Sequence, residues 1–449
     1  MKISVIGTGY VGLVSGVCFA HVGHDVTCVD LIQEKVEKIN RGESPIHEDG
    51  LTPMLQANVD KNFRASTDLH DAVLNTDITL IAVGTPFGEE RIDLEQIRSA
   101  ANAIGKALKD KSDYHVVAVK STVVPGTTEN EVLPVLEAAS TKRAGEDFGV
   151  GMNPEFLREG AAVEDFLNPD RIVVGGIDDR SRNLMADVYA PFTNADLIKT
   201  TPSTAEMIKY TANSLLATLI SFSNEIGNMS AAMGIDSTEV MAGVHLDHRF
   251  APLLKTDTKA GDRIKPGMLS YLQAGCGFGG SCFPKDVKAL VAHATAHKIA
   301  LPVLEGTLTV NAQQPEELVK LVTQAAPSGS KVTVLGAAFK PGTDDIRDSP
   351  TLRVIPRLID EGYVVSLHDP IALDEARTIF GDSVSYVPEL PKAIKDADAI
   401  VLITSWPEYA QLHEHVCAQK AKIVDGRRYL NAKHFEDYHG IGYPQDKDE

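Results

Sequence analysis

Short apolar runs alternate with helix-like segments along the first 200 residues. The apolar run KISVIG (2–7) precedes a glycine-rich turn, the helix-like segment LVSGVCFAHVG and a second apolar run, HDVTCVD, which ends at Asp30. Further strand-like runs occupy 77–86, 115–127 and 148–160. Strands that alternate with helices are typical of a parallel sheet covered by helices on both faces. The pattern therefore predicts a doubly wound α/β domain.

The segment 201–234 has no interior proline and predicts one long helix. Lys209 and Asn213 lie one turn apart on it and therefore share one face. A lone lysine on a helix is usually solvated, but a lysine and an asparagine on a largely apolar helix favour a polar cavity. The rest of the segment is apolar or small, which suits packing against a second subunit. A homodimer is therefore expected.

The strand–helix pattern returns in the last third of the chain. Strand-like runs lie within 330–350, 362–370, 397–409 and 421–430. The first turn of this part lacks GxGxxG, so it need not bind a dinucleotide. The predicted fold class is α/β, with two Rossmann-like doubly wound domains joined by a long central helix. The predicted divisions are 1–200, 201–314 and 315–449.

Composition narrows the partners. The 449-residue chain carries 43 Lys and Arg against 62 Asp and Glu, a net charge of −19. Nucleic acids and anionic membranes both require a basic surface, so neither is an expected partner. The five cysteines are scattered without a C-x-x-C pair, which favours a reduced, cytoplasmic protein without a metal site. Cys18 and Cys28 are expected to be small buried residues, and Cys276 and Cys417 stay open.

The turn GTGYVG (7–12) stands between the first strand and the first helix. Gly7 permits a tight turn, Gly9 lets the backbone approach a pyrophosphate, and Gly12 lets helix and strand pack closely. The pyrophosphate is expected at the helix N-terminus, where unpaired N–H groups favour an anion. Asp30 ends the next strand, where an acid bonds ribose hydroxyls and repels a 2′-phosphate. The expected cofactor is therefore NAD rather than NADP.

Polar residues follow three further strand-like runs. They are Thr85, Thr122 and Glu155. In an open parallel sheet, ligands lie outside the carboxyl ends of the strands, so these residues are expected beside the cofactor. Each alone is most simply a loop residue or a helix cap, but the three together favour a site.

The stretch GFGGSCFPKD (277–286) places Cys282 among glycines, with Ser281 and Lys285 nearby. A cationic neighbour lowers the pKa of a thiol and so produces thiolate, the nucleophilic form. Cys282 is therefore a candidate nucleophile, although a glycine-rich loop with one cysteine does not identify an enzyme by itself.

A set of motifs runs in order along nearly the whole chain. They are VIGTGYVGLVSG, VGTP, STVVPGT, NPEFLREGAAVEDF, AEMIKYTANSLLA, GFGGSCFPKD, LGAAFKPGTDDIRDSP and VDGRRYL. Together they resemble those of the UDP-glucose/GDP-mannose dehydrogenase family. The resemblance implies NAD-dependent oxidation of the primary alcohol of a nucleotide sugar to a carboxylate. Within the family, NPEFLREGAAV and GFGGSCFPKD favour UDP-glucose as the small-molecule partner and UDP-glucuronate as the product. The resemblance therefore implies a role in nucleotide sugar metabolism and polysaccharide biosynthesis.

That chemistry gives Cys282 a role. Alcohol to acid takes two hydride transfers, and the intermediate aldehyde is not itself a good hydride donor. Addition of a thiolate converts the aldehyde into a thiohemiacetal, which is a good hydride donor. The second hydride transfer leaves a thioester, which water hydrolyses.

The resemblance implies further catalytic roles. Lys209 resembles the lysine that stabilises developing oxyanions, and Asn213 resembles its hydrogen-bonding partner. Asp286 resembles the acid near the thiol, which assists water or proton transfer. Glu155 resembles the carboxylate that activates hydrolytic water, and Thr122 a hydroxyl that positions water. The group that takes the first alcohol proton stays open.

The same resemblance implies the residues that contact each ligand. For the cofactor they are Gly7, Gly9, Tyr10, Val11, Gly12, Asp30, Lys35, Thr85, Thr122, Glu159, Lys285 and Arg347. For the nucleotide sugar they are Glu155, Phe156, Leu157, Arg158, Lys209, Asn213, Arg249, Tyr271, Gly279, Phe283, Phe339, Lys340 and Arg427. Residues 1–200 are thus expected to bind NAD, 201–314 to dimerise and carry the cysteine, and 315–449 to hold the nucleotide sugar.

One departure from the family pattern leaves open which arginine reaches the substrate of the neighbouring subunit. The family has a short segment between the cysteine loop and an arginine that reaches the neighbouring subunit's substrate, and here that segment is longer. The LDHR context favours Arg249 for this role, whereas Arg263 lies closer to the loop.

Other functions remain as alternatives. The nearest are a 6-dehydrogenase for GDP-mannose or for a UDP-N-acetylhexosamine. A two-electron hydroxyacid dehydrogenase predicts one NADH per substrate and an unimportant Cys282. A non-catalytic NAD-binding regulator would be free to lose part of the catalytic set.

Overall fold

The computed structural model describes residues 1–88, 90–253, 263–416 and 421–444. Cys417, left open by the sequence, lies outside these ranges. The chain forms two compact units, residues 1–212 and 213–449, and each is described by itself. The division at residues 200 and 314 stays a prediction. Among the described helices, none is both long and apolar enough to cross a membrane.

Within the described residues, the first unit contains one eight-stranded sheet. Its strands are β1 (Lys2–Ile6), β2 (Asp25–Val29), β3 (Phe63–Ser66), β4 (Ile78–Ile81), β5 (His115–Val119), β6 (Phe148–Met152), β7 (Arg171–Gly176) and β8 (Asp196–Thr200). Their order across the sheet is β3-β2-β1-β4-β5-β6-β7-β8. The first six strands are parallel, in the order of a doubly wound nucleotide-binding sheet. β7 runs antiparallel to β6, a reversal that the apolar pattern did not indicate.

Helices cover this sheet. They are α1 (Tyr10–His21), α2 (Gln33–Asn40), α3 (Leu51–Asn58), α4 (Leu69–Leu74), α5 (Glu95–Asp110), α6 (Leu133–Ser140), α7 (Ala162–Leu167) and α8 (Asp179–Asp187). A π-helical turn, Thr128–Val132, leads into α6. Strands between two helical layers are buried on both faces, so they appear in the sequence as continuous apolar runs. The strand β5, for example, is buried along its whole length.

Six parallel strands form the sheet of the second unit, within the part of the chain that the structure describes. They are β9 (Lys331–Leu335), β10 (Val364–His368), β11 (Ser385–Tyr386), β12 (Ala399–Leu402), β13 (Lys422–Asp425) and β14 (Tyr438–Gly440). The order β11-β10-β9-β12-β13-β14 repeats the arrangement of the first unit. The two Rossmann-like sheets confirm the predicted fold class.

The helices of the second unit lie around this sheet and before it in the chain. They are α10 (Ser237–His245), α11 (Phe283–Ala296), α12 (Pro302–Ala325), α13 (Thr351–Asp360), α14 (Leu373–Phe380), α15 (Leu390–Ile394) and α16 (Leu412–Val416). Short 3-10 turns occupy Gly267–Tyr271, Gly381–Ser383, Pro407–Gln411 and Ala432–His434.

One uninterrupted helix, α9 (Pro202–Ala232), joins the two units. Its 31 residues correspond to a length of about 45 Å. The hydroxyl of Thr201 accepts a hydrogen bond from the N–H of Thr204 at 3.3 Å and so caps its start. Gly234, with φ +74°, follows its end. The long helix predicted from the sequence is confirmed.

The turn after β9 differs from the turn after β1. Asp369 follows β10 and is 1% exposed. Its carboxylate accepts hydrogen bonds from the N–H groups of Ala337, at 2.8 Å, and Ala338, at 3.1 Å. Trp406 donates to the same oxygen at 3.1 Å. Asp369 therefore stabilises the turn after β9.

Candidate active site

The glycine-rich turn of the first unit joins β1 to α1. Gly7 has φ +99°, and a Cβ there would lie 2.7 Å from the carbonyl oxygen of Ala82. A Cβ on Gly12 would lie 2.0 Å from the carbonyl oxygen of Gly7, so side chains are excluded at both positions. A Cβ on Gly9 would meet nothing within 4 Å. The turn is therefore tight inside and open at the N-terminus of α1, where Tyr10 and Val11 begin the helix.

Asp30 follows β2, and its carboxylate is held on several sides. The N–H of Thr8 donates to Oδ2 at 3.1 Å, and the ammonium of Lys35 donates to the same oxygen at 3.1 Å. The N–H of Ile32 donates to Oδ1 at 3.1 Å. The hydroxyl of Thr8 donates to Oδ2 as well, at 2.5 Å. Partial burial opposes ionisation, but the hydroxyl of Thr8 and the other hydrogen bonds outweigh it and lower the pKa of Asp30. Leu31, beside it, is 93% exposed, which leaves an open apolar side chain next to the acid.

A buried carboxylate that the sequence did not single out links the glycine turn to the loop after β6. The hydroxyl of Tyr10 donates to Glu48. The same carboxylate accepts hydrogen bonds from the N–H groups of Gly160 and Ala162, each at 2.7 Å. Burial and then Glu48 raise the pKa of Tyr10, and Glu159 adds a smaller contribution. Tyr10 and Glu159, both expected at the cofactor, therefore belong to one network.

The structure brings together two of the predicted strand-end residues. The Thr85 hydroxyl donates to the carbonyl of Thr122 at 2.9 Å. Ser121, just before Thr122, donates to the carbonyl of Val83 at 2.7 Å. The segments after β4 and β5 are thereby tied together at the carboxyl edge of the sheet.

Glu155, after β6, forms a buried ion pair with Lys209 of α9. The ammonium nitrogen lies 2.9 Å from Oε1, and the two side chains are 6% and 4% exposed. The N–H of Leu157 donates to Oε2 at 2.6 Å. Burial opposes ionisation of Glu155, but the charge and hydrogen bond of Lys209 outweigh it and lower its pKa. The sequence expected both residues at the site, and the structure shows them in contact.

Phe156 and Arg158, which follow Glu155 in the chain, contact different groups. The ring of Phe156 lies near two cations, with the Lys209 nitrogen 5.5 Å and the Arg171 guanidinium 3.9 Å from its centroid. Arg158 is largely exposed and pairs with Asp165 at 2.6 Å.

A second buried carboxylate lies one turn before Lys209 on α9. Glu206 accepts hydrogen bonds from the N–H groups of Gly126, at 2.5 Å, and Thr128, at 2.8 Å. The hydroxyl of Thr128 donates to it at 2.6 Å. Burial raises the pKa of Glu206 to about 7. The residue holds the far end of the segment that begins with Thr122.

In the second unit, Cys282 immediately precedes α11. Its backbone is the N-cap of this 14-residue helix, and Pro284 lies in the first turn. The Ser281 hydroxyl lies 3.6 Å from the sulfur, and the N–H of Asp286 donates to the carbonyl of Cys282 at 2.8 Å. The N-terminus of a helix stabilises a negative charge, which suits a thiolate.

Asp286 is 1% exposed and engaged through both oxygens. Asn213 donates to Oδ2 at 2.7 Å, and the ammonium of Lys285 donates to Oδ1 at 2.6 Å. The sequence expected Asn213 as a partner of Lys209 and Lys285 as a cation beside the thiol. The structure shows Asp286 as a hydrogen-bond partner of both side chains, and the two expected roles stay predictions.

Aromatic side chains surround the cysteine loop. Gly280 has φ +86°, and a Cβ there would lie 2.7 Å from the ring of Phe339. The rings of Tyr271 and Phe283 are 6.2 Å apart. A Cβ on Gly279 would lie 2.3 Å from the carbonyl oxygen of Asp348. Four residues expected at the nucleotide sugar, Tyr271, Gly279, Phe283 and Phe339, therefore lie at or beside this loop.

The arginines and the lysine expected at the ligands have identifiable partners. Arg427 donates to the carbonyls of Ile403, at 2.6 Å, and Gly277, at 2.8 Å, and so ties the cysteine loop to the end of β12. Arg347 forms a two-point ion pair with Asp345. The Lys340 nitrogen lies 5.8 Å from the centroid of Phe339.

Arg249 and Arg263 differ in exposure and in partners. The Arg249 side chain is 76% exposed and pairs with Asp247. Arg263 donates to the carbonyl of Ala251 at 2.8 Å. Arg249 thus has the more accessible guanidinium of the two.

A tight turn that is open at a helix N-terminus, with an acid after the second strand, suits the pyrophosphate and ribose of NAD. The buried ammonium of Lys209 contacts Glu155 at the carboxyl edge of the same sheet. These features define a nucleotide-dependent dehydrogenase of the Rossmann class.

The chain belongs to the UDP-glucose/GDP-mannose dehydrogenase family. Three models of this family match it in order: the NAD binding domain over residues 1–193, the central domain over 203–313 and the UDP binding domain over 333–432. The expected family and its NAD cofactor are therefore confirmed.

Individual relatives span nearly the whole chain. It is 41% identical to a UDP-glucose 6-dehydrogenase of Haloferax volcanii, over 98% of this chain and 100% of that protein. It is 38% identical to a GDP-mannose 6-dehydrogenase of Azotobacter vinelandii, over 95% and 96% of the two. The solved structure of a UDP-glucose dehydrogenase from Pyrobaculum islandicum matches with a TM-score of 0.89 at 37% identity, covering 98% of each chain.

Sequence reasoning missed several buried charges around the site: Glu48, Lys120 and Glu206. For these three residues the sequence offers one local signal: Glu206 stands three residues before Lys209 on a predicted helix and therefore shares its face. Pro284 directly after the pair Cys282-Phe283 did indicate a helix start, because proline is favoured in the first turn.

Proposed function

We propose that this protein oxidises UDP-glucose to UDP-glucuronate, with reduction of two NAD per substrate and a covalent intermediate on Cys282. The observation that carries the proposal is the position of Cys282 at the N-terminus of α11, one turn before the buried carboxylate of Asp286. A two-electron dehydrogenase has no use for such a nucleophile. The relative from Haloferax volcanii and the structure from Pyrobaculum islandicum support UDP-glucose as the substrate.

The reaction proceeds in three chemical stages. Loss of a hydride and a proton converts the primary alcohol into an aldehyde. The Cys282 thiolate then adds to the aldehyde carbon to form the alkoxide of a thiohemiacetal, and loss of a second hydride from this alkoxide gives a thioester. Water attacks the thioester and loses both of its protons, one to Glu155 and one to solvent, the C–S bond breaks, and the carboxylate and the thiolate are released. NAD, when bound, accepts the hydride in each oxidation.

The residues of the chain divide this work. Lys209 supplies a fixed positive charge for the oxyanions that develop on the substrate. Glu155 accepts a proton from the hydrolytic water, for which its lowered pKa keeps it ionised. Asp286 assists proton transfer at the thiol and is held by Asn213. Thr122 positions water, with its backbone carbonyl fixed by Thr85.

The test is the yield of NADH per UDP-glucose, with GDP-mannose and a UDP-N-acetylhexosamine as parallel substrates. Wild type should release two NADH and one free acid. Cys282→Ala should lower acid release by ~10³-fold or more. The matched control is Cys276→Ala in the same loop, a fully buried cysteine that packs in the core. One NADH per substrate, unaffected by Cys282→Ala, would overturn the covalent route, and turnover of GDP-mannose alone would overturn the substrate.

The proposal includes a homodimer. Within the second unit, α9 exposes Leu215, Phe222, Met229 and Met233, each more than half exposed. Successive spacings of seven, seven and four residues place these side chains along one stripe, and a second copy of the same stripe suits it. Light scattering should give the mass of a dimer for wild type and of a monomer for Phe222→Glu. Ile379→Glu, at an equally exposed apolar position on α14, should stay dimeric. A monomeric wild type would contradict this part of the proposal.

The proposal also places the protein in the cytoplasm. Its described cysteines, Cys18, Cys28, Cys276 and Cys282, are all free thiols, and thiols stay reduced in the cytosol, where disulfides are rare. Fractionation of the source cells tests this, and activity in an oxidising compartment would contradict it.

A further inference from the structure

The residue that directly follows β5 is a buried lysine. Lys120 is 2% exposed. Its ammonium donates to Oδ1 of Asn153 at 3.0 Å and to the hydroxyl of Tyr189 at 3.4 Å. Among the described residues, no carboxylate lies within 4.0 Å of this nitrogen. Lysine is almost never buried without an anionic partner, so the groups that this ammonium holds indicate its role.

The contacts of Asn153 show what Lys120 holds in place. The N–H of Asn153 donates to the carbonyl of Val119 at 2.8 Å, and its side-chain amide donates to the carbonyl of Val173 at 2.9 Å. The Tyr189 hydroxyl donates to Oδ1 at 2.5 Å, so this oxygen accepts from two groups. Asn153 is separated from Glu155 by a single proline. The Lys120 ammonium therefore fixes the start of the segment that carries Glu155.

Lys120 also precedes Thr122 by two residues, and its backbone N–H donates to the carbonyl of Ile81 at 2.8 Å. Its main chain thus belongs to the segment of Thr122, whereas its side chain grips the segment of Glu155. One residue couples the two strand ends that carry these candidate groups.

The charges around Glu155 point the same way. Lys209 contacts the carboxylate directly at 2.9 Å, and Lys120 adds a weaker attraction that also lowers the pKa of Glu155. Burial lowers the pKa of Lys120 to about 8, against the attraction of Glu155 and together with the repulsion of Lys209. Tyr189 is protonated, because burial raises its pKa. At neutral pH, therefore, one buried carboxylate is shared by two cations.

We propose that Lys120 is a positioning residue for Glu155, which anchors the Asn153-Pro154-Glu155 segment and supplies a second positive charge that keeps the carboxylate ionised for hydrolysis of the thioester. Lys120 acts through Glu155 and not on the substrate. The inference rests on the proposed function, in which Glu155 accepts a proton from the attacking water while the C–S bond to Cys282 breaks.

Lys111 provides a matched control. It is another buried lysine of the first unit, 8% exposed. Its ammonium donates to the carbonyls of Val73, Leu74 and Thr76, at 3.0, 2.8 and 2.8 Å. Burial lowers its pKa as well, but the charges that act on it are Asp113, Asp77, Lys142 and Lys2, not Glu155. Loss of this lysine should reduce stability and leave the pH profile of the reaction unchanged.

The experiment measures hydrolysis in single turnovers from about pH 3 to about pH 9 for wild type, Lys120→Met, Lys120→Gln and Lys111→Met, because the lowered pKa of Glu155 places the acid limb of the wild type below its usual range. Loss of a positive charge raises the pKa of Glu155, so the acid limb of the hydrolysis rate should shift toward higher pH by about one unit in both Lys120 variants. The KM for UDP-glucose should change less than ~2-fold, since a positioning residue does not touch the substrate. Lys120→Gln retains a donor for Asn153, so it should recover part of the rate at high pH that Lys120→Met loses.

The possible outcomes separate the inference from the proposed function. A wild type that releases a single NADH contradicts the function itself. A two-NADH wild type whose acid limb is matched by both Lys120 variants contradicts the inference. An equal shift in Lys111→Met also contradicts it, because the effect would then be one of general stability. If neither Lys120 variant folds, Tyr189→Phe decides: it removes one contact of the ammonium without changing charge, and an unaltered hydrolysis rate overturns the positioning role.

Discussion

Asn213 donates a hydrogen bond to Asp286 at 2.7 Å, while Lys285 holds the other carboxylate oxygen at 2.6 Å. The Asp286 side chain is almost completely buried. The backbone N–H of Asp286 donates to the carbonyl of Cys282. A buried carboxylate with both oxygens engaged has little freedom to move. Asp286 is thus fixed in relation to the backbone of Cys282, the candidate nucleophile.

Asp286→Asn should lower kcat by about 10²–10³-fold with little change in KM, because it removes a proton acceptor but keeps an oxygen for Asn213. Steady-state kinetics measure this. Asp369→Asn is the control, since Asp369 is an equally buried acid of the same unit with a structural role. Its folded fraction should retain wild-type kcat. Full activity in Asp286→Asn would remove this residue from the mechanism.

The pair of Glu155 and Lys209 should show strong coupling in unfolding experiments. Removal of one partner of a buried ion pair costs about 3–5 kcal/mol, because the other charge stays buried. Glu155→Gln should cost more than Lys209→Met, since it leaves Lys209 and Lys120 as two buried cations whereas Lys209→Met leaves Glu155 with Lys120.

Urea unfolding of the two single variants and of the double variant completes the cycle. The double variant should recover at least ~2 kcal/mol relative to the sum of the single losses, while its activity stays low. Additive losses would show that the two charges do not interact across 2.9 Å.

Glu206 predicts a dependence of stability on pH. Burial raises its pKa from 4.5 to about 7. Between these values the folded state holds a proton that the unfolded chain has lost, so the free energy of unfolding falls as pH rises. At about 1.4 kcal/mol per pH unit, the total is about 3 kcal/mol.

Unfolding of wild type and Glu206→Gln at pH 5 and pH 8 measures this effect, since the amide cannot ionise. Wild type should lose about 2.5 kcal/mol relative to the variant across that interval, since part of the total is already lost below pH 5. A constant difference between the two proteins at both pH values would mean that Glu206 is ionised throughout.

Asp30 should set the choice of cofactor. Asp30→Ala removes the acceptor for the ribose and releases Lys35, which then faces the position of a 2′-phosphate. The ratio of kcat/KM for NAD to that for NADP should fall by ~10–100-fold, equivalent to about 1.4–2.8 kcal/mol. Asp25→Ala, at an exposed position at the start of the same strand, should leave the ratio unchanged. An unchanged ratio in Asp30→Ala would assign the preference to other residues.

Much of the fold was predictable because local patterns carry it. Short apolar runs in the sequence correspond to β1, β4 and β5, since strands covered on both faces are largely apolar. The long helix was recognisable because no proline interrupts α9. The antiparallel β7 was not predictable, because the direction of a strand leaves no trace in its apolar pattern.

The candidate site was predictable only in part. Thr85, Thr122 and Glu155 each follow a different strand and stand next to turn residues in the sequence, so they could be singled out. Their partners could not be. Glu48 contacts Gly160 across more than a hundred residues, and nothing near Glu48 in the chain distinguishes it from a solvated acid.

The sequence by itself determined the two Rossmann-like sheets, the long helix and the glycine turn for NAD, and it singled out Cys282 as the candidate nucleophile, because each depends on residues adjacent in the chain. Only the tertiary structure decided which charges are buried and which groups they meet. It assigned Asn213 and Lys285 to Asp286, and it brought Lys120 to Asn153 beside Glu155. The physical reason is that burial and Coulomb attraction depend on distances in space, which residues far apart in the chain acquire only when the sheets and helices pack.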